Sequence, residues 1–503
     1  MDSAKICILI AIVVYLALVL YIGYRFSKQN KDTDDFYLGG RKLGPFVTAM
    51  SAEASDMSSW LLMGLPGVAY LSGIADAGWT AIGLALGTYV NWLIVAKRLR
   101  RYSHITNSIT LPQFFKNRYH DKGNALLGIS AIIIVIFFIP YTASGFAACG
   151  KLFSSLFGIS YFTAMVISAI VIVGYTCLGG FLAASTTDFM QSIIMSVALI
   201  IILIFGVNAA GGLDVVMDNA KALPGFLSMV QSYDTSTNSA TPYSGLTIFS
   251  TLAWGLGYCG MPHILLRFMA IEDENKLKLS RRVATIWVVI SLAVAVFIGV
   301  MGYSVSKAGA IAVLEGSNSE MIIIKLADLL SRYGIIPALL AGVILAGILA
   351  STMSTADSQL LAASSAISSD LLGSKFKKEQ GLVVARVTLL IMSVVGVILA
   401  RDPNSSVFGI VSFAWAGFGA SFGPVVLFSL FWKRTTKYGA LAGMLTGGVM
   451  IFVWKYLIRP IGGILDIYEL LPAFIIASVV IFIVSLLTTA PEQAIVDEFN
   501  KAK

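Results

Sequence analysis

Two acidic residues and four serines lie within one otherwise apolar stretch of this 503-residue chain. Glu53 and Asp56 stand with those serines in residues 51–59, and apolar sequence continues on both sides. A charge at the centre of a bilayer costs about 2.5–3.5 kcal/mol even on a lenient scale, so such groups are retained where they face protein, water or an ion. A surface loop is the alternative, which the flanking apolar sequence disfavours. The pattern therefore indicates a polar site inside a membrane span.

A second apolar stretch is interrupted by helix-breaking residues. Gly255, Gly257 and Gly260 closely precede Pro262. A simple kink is one explanation, because neighbouring helices can pair a freed backbone within a membrane. An unwound helix would instead offer carbonyl groups to a cation. Paired breaks at corresponding positions of two repeats are typical of a transport site at the bilayer midplane.

A third feature is a run of hydroxyl residues further along the chain. Ser351, Ser354, Thr355 and Ser358 recur at intervals of three and four, so they share one helix face. Such a stripe can also serve as an ordinary contact between membrane helices. Beside a broken helix with free carbonyls, it would supply the hard oxygen ligands that suit a small alkali cation.

The elements that position these residues are predicted to be membrane helices. Hydrophobic residues make up 57% of the chain and charged residues 12%, whereas soluble domains have about 25% charged residues. The apolar runs are continuous rather than alternating, which favours helices over a barrel, and we expect about 13 spans. The expected spans lie near 6–26, 45–71, 76–97, 125–150, 160–182, 189–210, 245–266, 283–305, 336–366, 381–400, 406–432, 438–457 and 467–488.

Other compositional features narrow the function. The first span lacks a small-residue cleavage site, so we expect a retained helix rather than a removed signal peptide. The four cysteines fall in apolar spans without metal-ligand or disulfide spacing, which is typical of structural thiols. With only three histidines and no nucleophile–base pattern, an enzyme is not expected. The basic residues form no single patch, so neither is nucleic-acid binding.

The basic residues predict the orientation in the membrane. Lys and Arg concentrate in the loops that follow odd-numbered spans, so these loops are expected in the cytoplasm, with the N-terminus outside and the C-terminus inside the cell membrane. The basic residues counted in these loops are Arg25, Lys28, Lys31, Arg41, Lys42, Lys97, Arg98, Arg100, Arg101, Lys116, Arg118, Lys122, Arg267, Lys276, Lys278, Arg281, Arg282, Lys375, Lys377, Lys378, Lys433, Arg434 and Lys437. The longest outer stretch, 211–244, contains a Ser/Thr/Asn-rich run and is expected to form a flexible loop or a surface helix.

Several ordered motifs closely resemble the sodium/solute symporter family, and within it the proline carriers. The resemblance extends over nearly the whole chain. The matching segments are Asp35–Arg41, Ala54–Ser58, Trp60–Gly67, Gly255–Tyr258, Pro262–Ile264, Met353–Thr355 and Val411–Trp415.

The resemblance implies an all-α, LeuT-like fold with an inverted 5+5 repeat. The first repeat would occupy 42–210 and the second 245–432. A peripheral helix and loop would precede them in 1–41, the outer loop would be 211–244, and two peripheral helices with the tail would fill 433–503.

The resemblance also implies a sodium site. Its ligands would be the carbonyl groups of Ala54, Met57 and Ser351 and the hydroxyl groups of Ser354 and Thr355. Two acids, Asp56 and Asp188, would be needed for sodium coupling.

The same resemblance implies a site for L-proline. Apolar, aromatic walls suit a pyrrolidine ring, and a secondary ammonium group gains from cation–π contacts. Ordinary aromatic packing is the alternative for each residue taken singly. Ser58 would lie near both sodium and substrate, and Arg41 would belong to the cytoplasmic side of the pathway. The implied proline-site residues are Ser58, Trp60, Tyr141, Trp254, Tyr258 and Pro262.

Three residues depart from the family pattern. Glycine is frequent in relatives at the positions of Glu53 and Ser59, and glutamine at that of Met261. Glu53 is assigned provisionally to the pathway, as a counter-charge, a proton site or a structural acid facing a neighbouring helix.

The hypothesis from the sequence is therefore sodium-coupled symport of L-proline by alternating access. Sodium is the co-transported ion, and neither another cofactor nor an obligate protein partner is expected. The alternatives are a different cargo on the same fold, such as another amino acid, a sugar, sialic acid or pantothenate, and proton coupling through Glu53 or Asp56.

Overall fold

The computed structural model describes residues 2–27, 33–372 and 380–503. Some basic residues counted for the orientation lie outside these ranges. They are Lys28, Lys31, Lys375, Lys377 and Lys378.

Helices dominate the described part of the chain. In chain order the α-helices are α1 (Ser3–Ser27), α2 (Thr33–Leu38), α3 (Pro45–Asp56), α4 (Leu65–Ser72), α5 (Ile74–Val90), α6 (Ala96–Ile105), α7 (Leu111–Arg118), α8 (Ala125–Phe157), α9 (Tyr161–Ala209), α10 (Leu213–Lys221), α11 (Gly245–Leu252), α12 (Pro262–Ala270), α13 (Leu277–Lys307), α14 (Ile322–Ser331), α15 (Ile335–Ser365), α16 (Gly381–Leu399), α17 (Val407–Phe431), α18 (Lys437–Val453), α19 (Leu470–Leu487) and α20 (Gln493–Lys501). Wider π-helical turns extend or join several of them, at Trp60–Gly64, Asn91–Val95, Ala366–Leu371 and Trp454–Ile458.

Ten helices in the described ranges are long and apolar enough to cross a membrane. The other predicted spans correspond to broken or short helices: α3 with α4, the first half of α9, and α11 with α12. Spans 5 and 6 are not joined by the loop that we expected after residue 182. Instead α9 bends at Gly180, whose φ of 68° is accessible to glycine. The total of thirteen spans stays a prediction.

Helix α15 lies at the centre of the molecule. It packs against α1, α8, α9 and α3, and every residue from Ile344 to Ala366 is buried. Alanine, serine, glycine and threonine are frequent in this stretch, and small residues let helix backbones approach closely within a membrane. The predicted hydroxyl stripe therefore faces protein and not lipid.

The segment 211–244, which we predicted to lie outside, is more ordered than we expected. It contains the surface helix α10, but the Ser/Thr/Asn-rich run forms a hairpin of β1 (Gln231–Asp234) and β2 (Ser239–Pro242), so the expectation of a flexible loop is wrong there. The Ser236 amide and hydroxyl donate to Asp234 Oδ1 at 2.8 and 2.6 Å, which closes the turn and lowers the pKa of Asp234. This hairpin is the exception to an otherwise all-α fold in the described ranges.

A buried ion pair joins three segments of the chain at the start of α17. Lys151 of α8 contacts Glu320 with an Nζ–Oε2 distance of 3.0 Å. The same carboxylate accepts hydrogen bonds from the Val407 and Phe408 amides at 3.0 Å, at the start of α17. Negative charge is stabilised at a helix N-terminus, so the carboxylate has two sources of compensation. Nothing in the sequence pattern indicated this pair.

Two arginines that we assigned to cytoplasmic loops are in fact buried. Arg267 is 1% exposed within α12, and Arg118 is 0% exposed at the end of α7. The guanidinium of Arg118 lies against the rings of Tyr119 and Phe499, at 4.9 and 5.2 Å, so it helps to hold the C-terminal helix α20. A count of basic residues cannot distinguish such buried cations from solvated loop charges.

The orientation is testable with paired cysteine variants. Thr235 in the hairpin and Asn500 in α20 are both exposed. In a background lacking the four native cysteines, a membrane-impermeant maleimide added to intact cells should label Thr235→Cys but not Asn500→Cys. Permeabilised cells should show labelling of both. Labelling of Asn500→Cys alone in intact cells would show that the orientation is opposite to the predicted one.

Candidate functional site

The predicted second span is interrupted within its buried part. Helix α3 ends at Asp56, and Met57 leaves helical geometry with φ −74° and ψ 67°. The Met57 amide still donates to the Glu53 carbonyl at 2.8 Å, and the Leu61 amide donates to the Ser58 carbonyl at 3.0 Å as a new helical segment begins. The break thus spans only a few residues, all of them buried.

The predicted seventh span is interrupted over a longer stretch. Helix α11 gives way to a tighter 3₁₀ segment, Ala253–Gly260, and Met261 is extended before Pro262 begins α12. Proline suits this first helical position because its missing N–H would have no helical partner there. Met261, a departure from the family pattern, is a fully buried residue at the start of α12.

Glycines in this segment allow very close packing. A Cβ atom on Gly255 would lie 2.2 Å from the Gly83 carbonyl oxygen, and one on Gly257 would lie 2.0 Å from Trp415 Nε1. Both distances are far below van der Waals contact, so side chains at these positions would separate the segment from α5 and α17. The glycines therefore serve packing as well as the break.

Four of the five predicted sodium ligands lie together between α3 and α15. The Ser354 hydroxyl donates to the Ala54 carbonyl at 2.7 Å and also lies 3.2 Å from the Ser351 carbonyl. The Thr355 hydroxyl donates to the same Ser351 carbonyl at 3.1 Å. Met57, the fifth predicted ligand, lies at the break three residues after Ala54. The structure thus gathers neutral oxygens at the end of an interrupted helix.

This oxygen set is chemically suited to an alkali cation. Carbonyl and hydroxyl groups are hard oxygen ligands, which favour alkali and alkaline-earth cations over transition metals. In the described ranges, no cluster of three or more His, Cys, Asp or Glu residues could hold a metal. A cation would replace the hydrogen atom that Ser354 now directs at Ala54.

Asp56 connects the two broken spans. Its Oδ2 accepts a hydrogen bond from the Tyr258 hydroxyl at 2.5 Å, and its carbonyl accepts from Trp60 Nε1 at 3.1 Å and from the Tyr141 hydroxyl at 3.4 Å. Its Oδ1 has no partner among the described residues. A predicted coupling residue thus contacts three predicted proline-site residues directly.

Aromatic side chains pack together beside this carboxyl group. The rings of Trp60 and Trp254 lie 6.3 Å apart, and Tyr468 stacks on Trp254 at 5.2 Å. Trp415 meets Tyr258 edge to face at 5.0 Å and donates from Nε1 to the Trp254 carbonyl at 2.8 Å. All five rings are at least nine-tenths buried.

Sequence reasoning missed two members of this aromatic group. Trp415 stands in a motif of the family resemblance, Val411–Trp415, but had no assigned role. Tyr468 comes from just before α19, in a segment that we treated as peripheral, and its hydroxyl donates to the Ser412 carbonyl at 2.7 Å. No sequence pattern places a residue so near the C-terminus beside span 7.

The small polar residues at the break have different surroundings. The Trp60 amide donates to Ser58 Oγ at 3.4 Å, so this hydroxyl lies next to the aromatic group. Ser59 Oγ is buried and has no partner among the described residues. Pro262 is buried at the start of α12.

Asp188 belongs to a separate polar cluster. It pairs with Arg267 at 3.1 Å and accepts from the Ser51 hydroxyl at 2.7 Å. Arg267 also donates to Ser51 Oγ at 3.0 Å and to Ser358 Oγ at 2.5 Å. This cluster joins α3, α9, α12 and α15, and Ser358 is the member of the hydroxyl stripe that reaches it.

Glu53 faces a neighbouring helix, which was one of three possibilities. Its Oε1 accepts from Trp92 Nε1 at 2.9 Å, and Trp92 packs on Phe268 with ring centroids 4.5 Å apart. Its Oε2 has no partner among the described residues. Glu53 thus links α3 to the π-helical turn after α5.

Arg41 ties together three chain segments at the predicted cytoplasmic end. Its Nη1 donates to the Met269 carbonyl at 2.6 Å, and its Nη2 donates to the Ser108 carbonyl at 2.6 Å and to the Ser103 carbonyl at 3.1 Å. The C-terminal end of α12 is therefore held to the end of α6 and to the segment that follows it.

The paired broken helices with buried oxygen atoms between them define a membrane transporter of the LeuT-like fold. A sequence profile described as "Sodium:solute symporter family" matches residues 36–447. The sodium/proline symporter of Salmonella typhimurium is 44% identical over 500 residues, covering 98% of this chain and 96% of its own. The high-affinity proline transporter PutP of Bacillus subtilis is 42% identical over 489 residues, covering 96% and 98%. The chain belongs to the sodium:solute symporter family.

Solved structures support the same fold. An outward-open, substrate-bound Na⁺-coupled sialic acid symporter aligns with a TM-score of 0.79 at 18% identity, covering 97% of this chain and 99% of its own. A nucleobase-cation-symport-1 family transporter aligns with a TM-score of 0.52 at 12% identity, covering 93% and 98%. At these identities the likeness concerns the fold alone.

The buried Arg267–Asp188 pair makes a testable contribution to stability. Arg267→Gln leaves Asp188 without its cation, and breaking a buried pair costs about 3–5 kcal/mol. The melting temperature of the purified protein should fall clearly. The matched control is Arg332→Gln, which breaks an exposed pair with Asp328 and should cost at most about 1 kcal/mol. Equal shifts for both variants would contradict the structural role of the buried pair.

Proposed function

We propose that this protein imports L-proline together with sodium by alternating access. The observation that carries the proposal is the contact between Ser354 of α15 and the Ala54 carbonyl at the break of the second span. Relatives more than 40% identical over nearly the whole chain are named sodium/proline symporters. Their names are the reason for proposing proline as the transported solute. The protein is a transporter and not an enzyme.

In this proposal sodium binds to the oxygen atoms at the first break. The carbonyl groups of Ala54, Met57 and Ser351 and the hydroxyl groups of Ser354 and Thr355 are its ligands. The hydrogen bond from Ser354 to Ala54 supports the assignment, because groups of two helices that already meet without a cation need little rearrangement to bind one. Sodium would then hold α3 against α15.

Proline in this proposal binds next to the sodium site, between the two breaks. Trp60, Trp254 and Tyr258 form apolar and aromatic walls for the pyrrolidine ring. The ammonium group would gain from the face of a tryptophan ring. Tyr141, Ser58 and the start of α12 at Pro262 complete the pocket and are available to orient the carboxylate.

Asp56 is proposed to couple the two sites. Its carboxyl group already binds Tyr258 of the seventh span, while its backbone belongs to the break that would bind sodium. A cation that fixes the break would therefore also fix a wall of the proline pocket. Because coupling between two sites is reciprocal, proline would strengthen sodium binding by the same factor.

Three further residues complete the proposed mechanism. Asp188 would act in coupling through the helices that it joins to Arg267. Arg41 would hold the inner end of α12 while the cytoplasmic side is closed. Glu53 is assigned to the pathway, where its bond to Trp92 would keep α3 in register with the third span.

The ion gradient provides enough energy for concentrative uptake. Zwitterionic proline adds no net charge, so one sodium ion per cycle would carry one positive charge inward. A potential of 100 mV supplies about 2.3 kcal/mol per charge, and a tenfold sodium gradient adds about 1.4 kcal/mol. Their sum corresponds to an accumulation of roughly several hundred-fold.

Uptake into proteoliposomes tests the proposal as a whole. Labelled proline should accumulate when sodium is outside and the interior is negative, and choline in place of sodium should abolish accumulation. Transport driven by a pH gradient without sodium would show proton coupling instead. Failure of unlabelled proline to compete, with competition by another amino acid, a sugar, sialic acid or pantothenate, would show a different cargo.

Serine variants of α15 test the assignment of sodium ligands. Ser354→Ala removes a proposed ligand, so the sodium concentration for half-maximal uptake should rise about tenfold, equivalent to about 1.4 kcal/mol. Ser351→Ala is the matched control, because the Ser351 hydroxyl donates to the Ile348 carbonyl of its own helix at 2.8 Å and only its backbone is a proposed ligand. Proline recognition at saturating sodium should change little in either variant. If both variants need the same sodium concentration for half-maximal uptake, the Ser354 hydroxyl is not a sodium ligand.

A further inference from the structure

An apolar groove runs along the outside of the helix bundle, between the first half of α9 and α16. Its volume is about 580 Å³, and it is lined by side chains such as Val166, Ile170, Val173, Leu390 and Val394. Ile170 is 66% exposed and Val394 is 60% exposed, so the groove opens away from the protein. In a membrane protein this surface faces lipid.

The two helices that form the groove are fixed to each other at both ends. At one end the Tyr161 hydroxyl donates to the Ala400 carbonyl at 2.7 Å. At the other end Arg386 Nε donates to the Cys177 carbonyl at 3.0 Å. The helices therefore run antiparallel and separate between these two points. This geometry leaves a groove with one polar, cationic end.

Glycine keeps the middle of the groove open. Gly174 lines it, and a Cβ atom built on Gly174 would meet nothing within 4 Å. A side chain at this position would therefore extend into the groove, and its Cβ atom would not clash with other protein atoms. The space is thus an open feature of the surface.

The groove is long enough to hold an acyl chain. From Arg386 to Ile398, α16 advances about 18 Å at 1.5 Å per residue. Half of the hydrocarbon core of a bilayer is about 15 Å thick. Arg386 itself lies five residues after the start of α16, about 7.5 Å along its axis. From there a long arginine side chain can extend towards the headgroup region.

At that end of the groove, the terminal nitrogens of Arg386 are available as hydrogen-bond donors. Among the described residues it makes the hydrogen bond to Cys177 and no ion pair. Its terminal nitrogens Nη1 and Nη2 can form the paired hydrogen bonds that arginine makes with a phosphate group. Basic pockets between membrane helices on the cytoplasmic side are typical sites for anionic lipid headgroups.

We propose that this groove binds one anionic glycerophospholipid, with its phosphate on Arg386 and one acyl chain along α9 and α16. The site is independent of the proposed transport function. The negative charge of the whole headgroup distinguishes the ligand from a zwitterionic lipid, whose own cation would compete with the guanidinium. The bound lipid bridges the two helices where they are apart and so stabilises their packing.

Lipid binding to the purified full-length protein tests the proposal. Native mass spectrometry would compare phosphatidylglycerol with phosphatidylcholine carrying the same acyl chains. The wild type should retain one phosphatidylglycerol with about fivefold higher affinity, the factor expected for one cation near a headgroup. Arg386→Gln should remove this preference. Arg282→Gln, an exposed arginine at the same position of α13, should keep it.

A second pair of variants tests the position of the acyl chain. Gly174→Leu should weaken binding of both lipids, because the new side chain fills the groove. Gly245→Leu introduces the same residue at another open position and should have no effect. A monodisperse profile and an unchanged melting temperature without added lipid would show that each variant is folded.

Several outcomes would overturn the proposal. They are equal affinity of the wild type for the two lipids, equal losses in Arg386→Gln and Arg282→Gln, and wild-type binding by Gly174→Leu. A dimer that dissociates on Gly174→Leu while lipid binding persists would assign the groove to a second copy of the chain.

Discussion

The structure depends on one constraint, which is that a backbone polar group inside a membrane must have a partner. Breaking a helix there leaves carbonyl groups free, and each unpaired group costs several kcal/mol. The protein meets this requirement with side chains, of which Ser354 and Tyr141 come from distant segments. Ser354 covers the Ala54 carbonyl, while Trp60 and Tyr141 cover the Asp56 carbonyl. The proposed ligands are therefore also the groups that make the break stable.

The buried charges, like the buried backbone groups, have compensating partners. Arg267 and Asp188 compensate each other within a cluster that joins four helices, and Lys151 and Glu320 compensate each other at the start of α17. Burying ions is costly, so such pairs are weak evidence for stability in themselves. They do limit the helix arrangements, because only some arrangements give every buried charge a partner.

The sequence was most informative where a pattern was local. The interruptions near Asp56 and Gly257 and the hydroxyl stripe from Ser351 to Ser358 could be predicted because polar or helix-breaking residues stand out in apolar sequence. The contacts between these features could not be predicted without the family resemblance. Tyr468 joins Trp254 from more than two hundred positions away, and nothing in the residues between them encodes that meeting. Arg118 and Arg267 were counted as loop charges, but both are buried, because burial depends on partners that lie far away in sequence. The hairpin at Gln231–Pro242 was missed because its polar residues are equally typical of a loop.

The central claim is that the break in the second span binds sodium with the help of α15. The most direct measurement is an experimental structure determined in sodium and again in choline, at a resolution that separates ions from water. The account predicts a cation bound by the Ala54 carbonyl and the Ser354 and Thr355 hydroxyls in sodium only, with the Ser354–Ala54 hydrogen bond replaced by ligation. An unchanged Ser354–Ala54 hydrogen bond in saturating sodium, with the cation found only elsewhere, would contradict it.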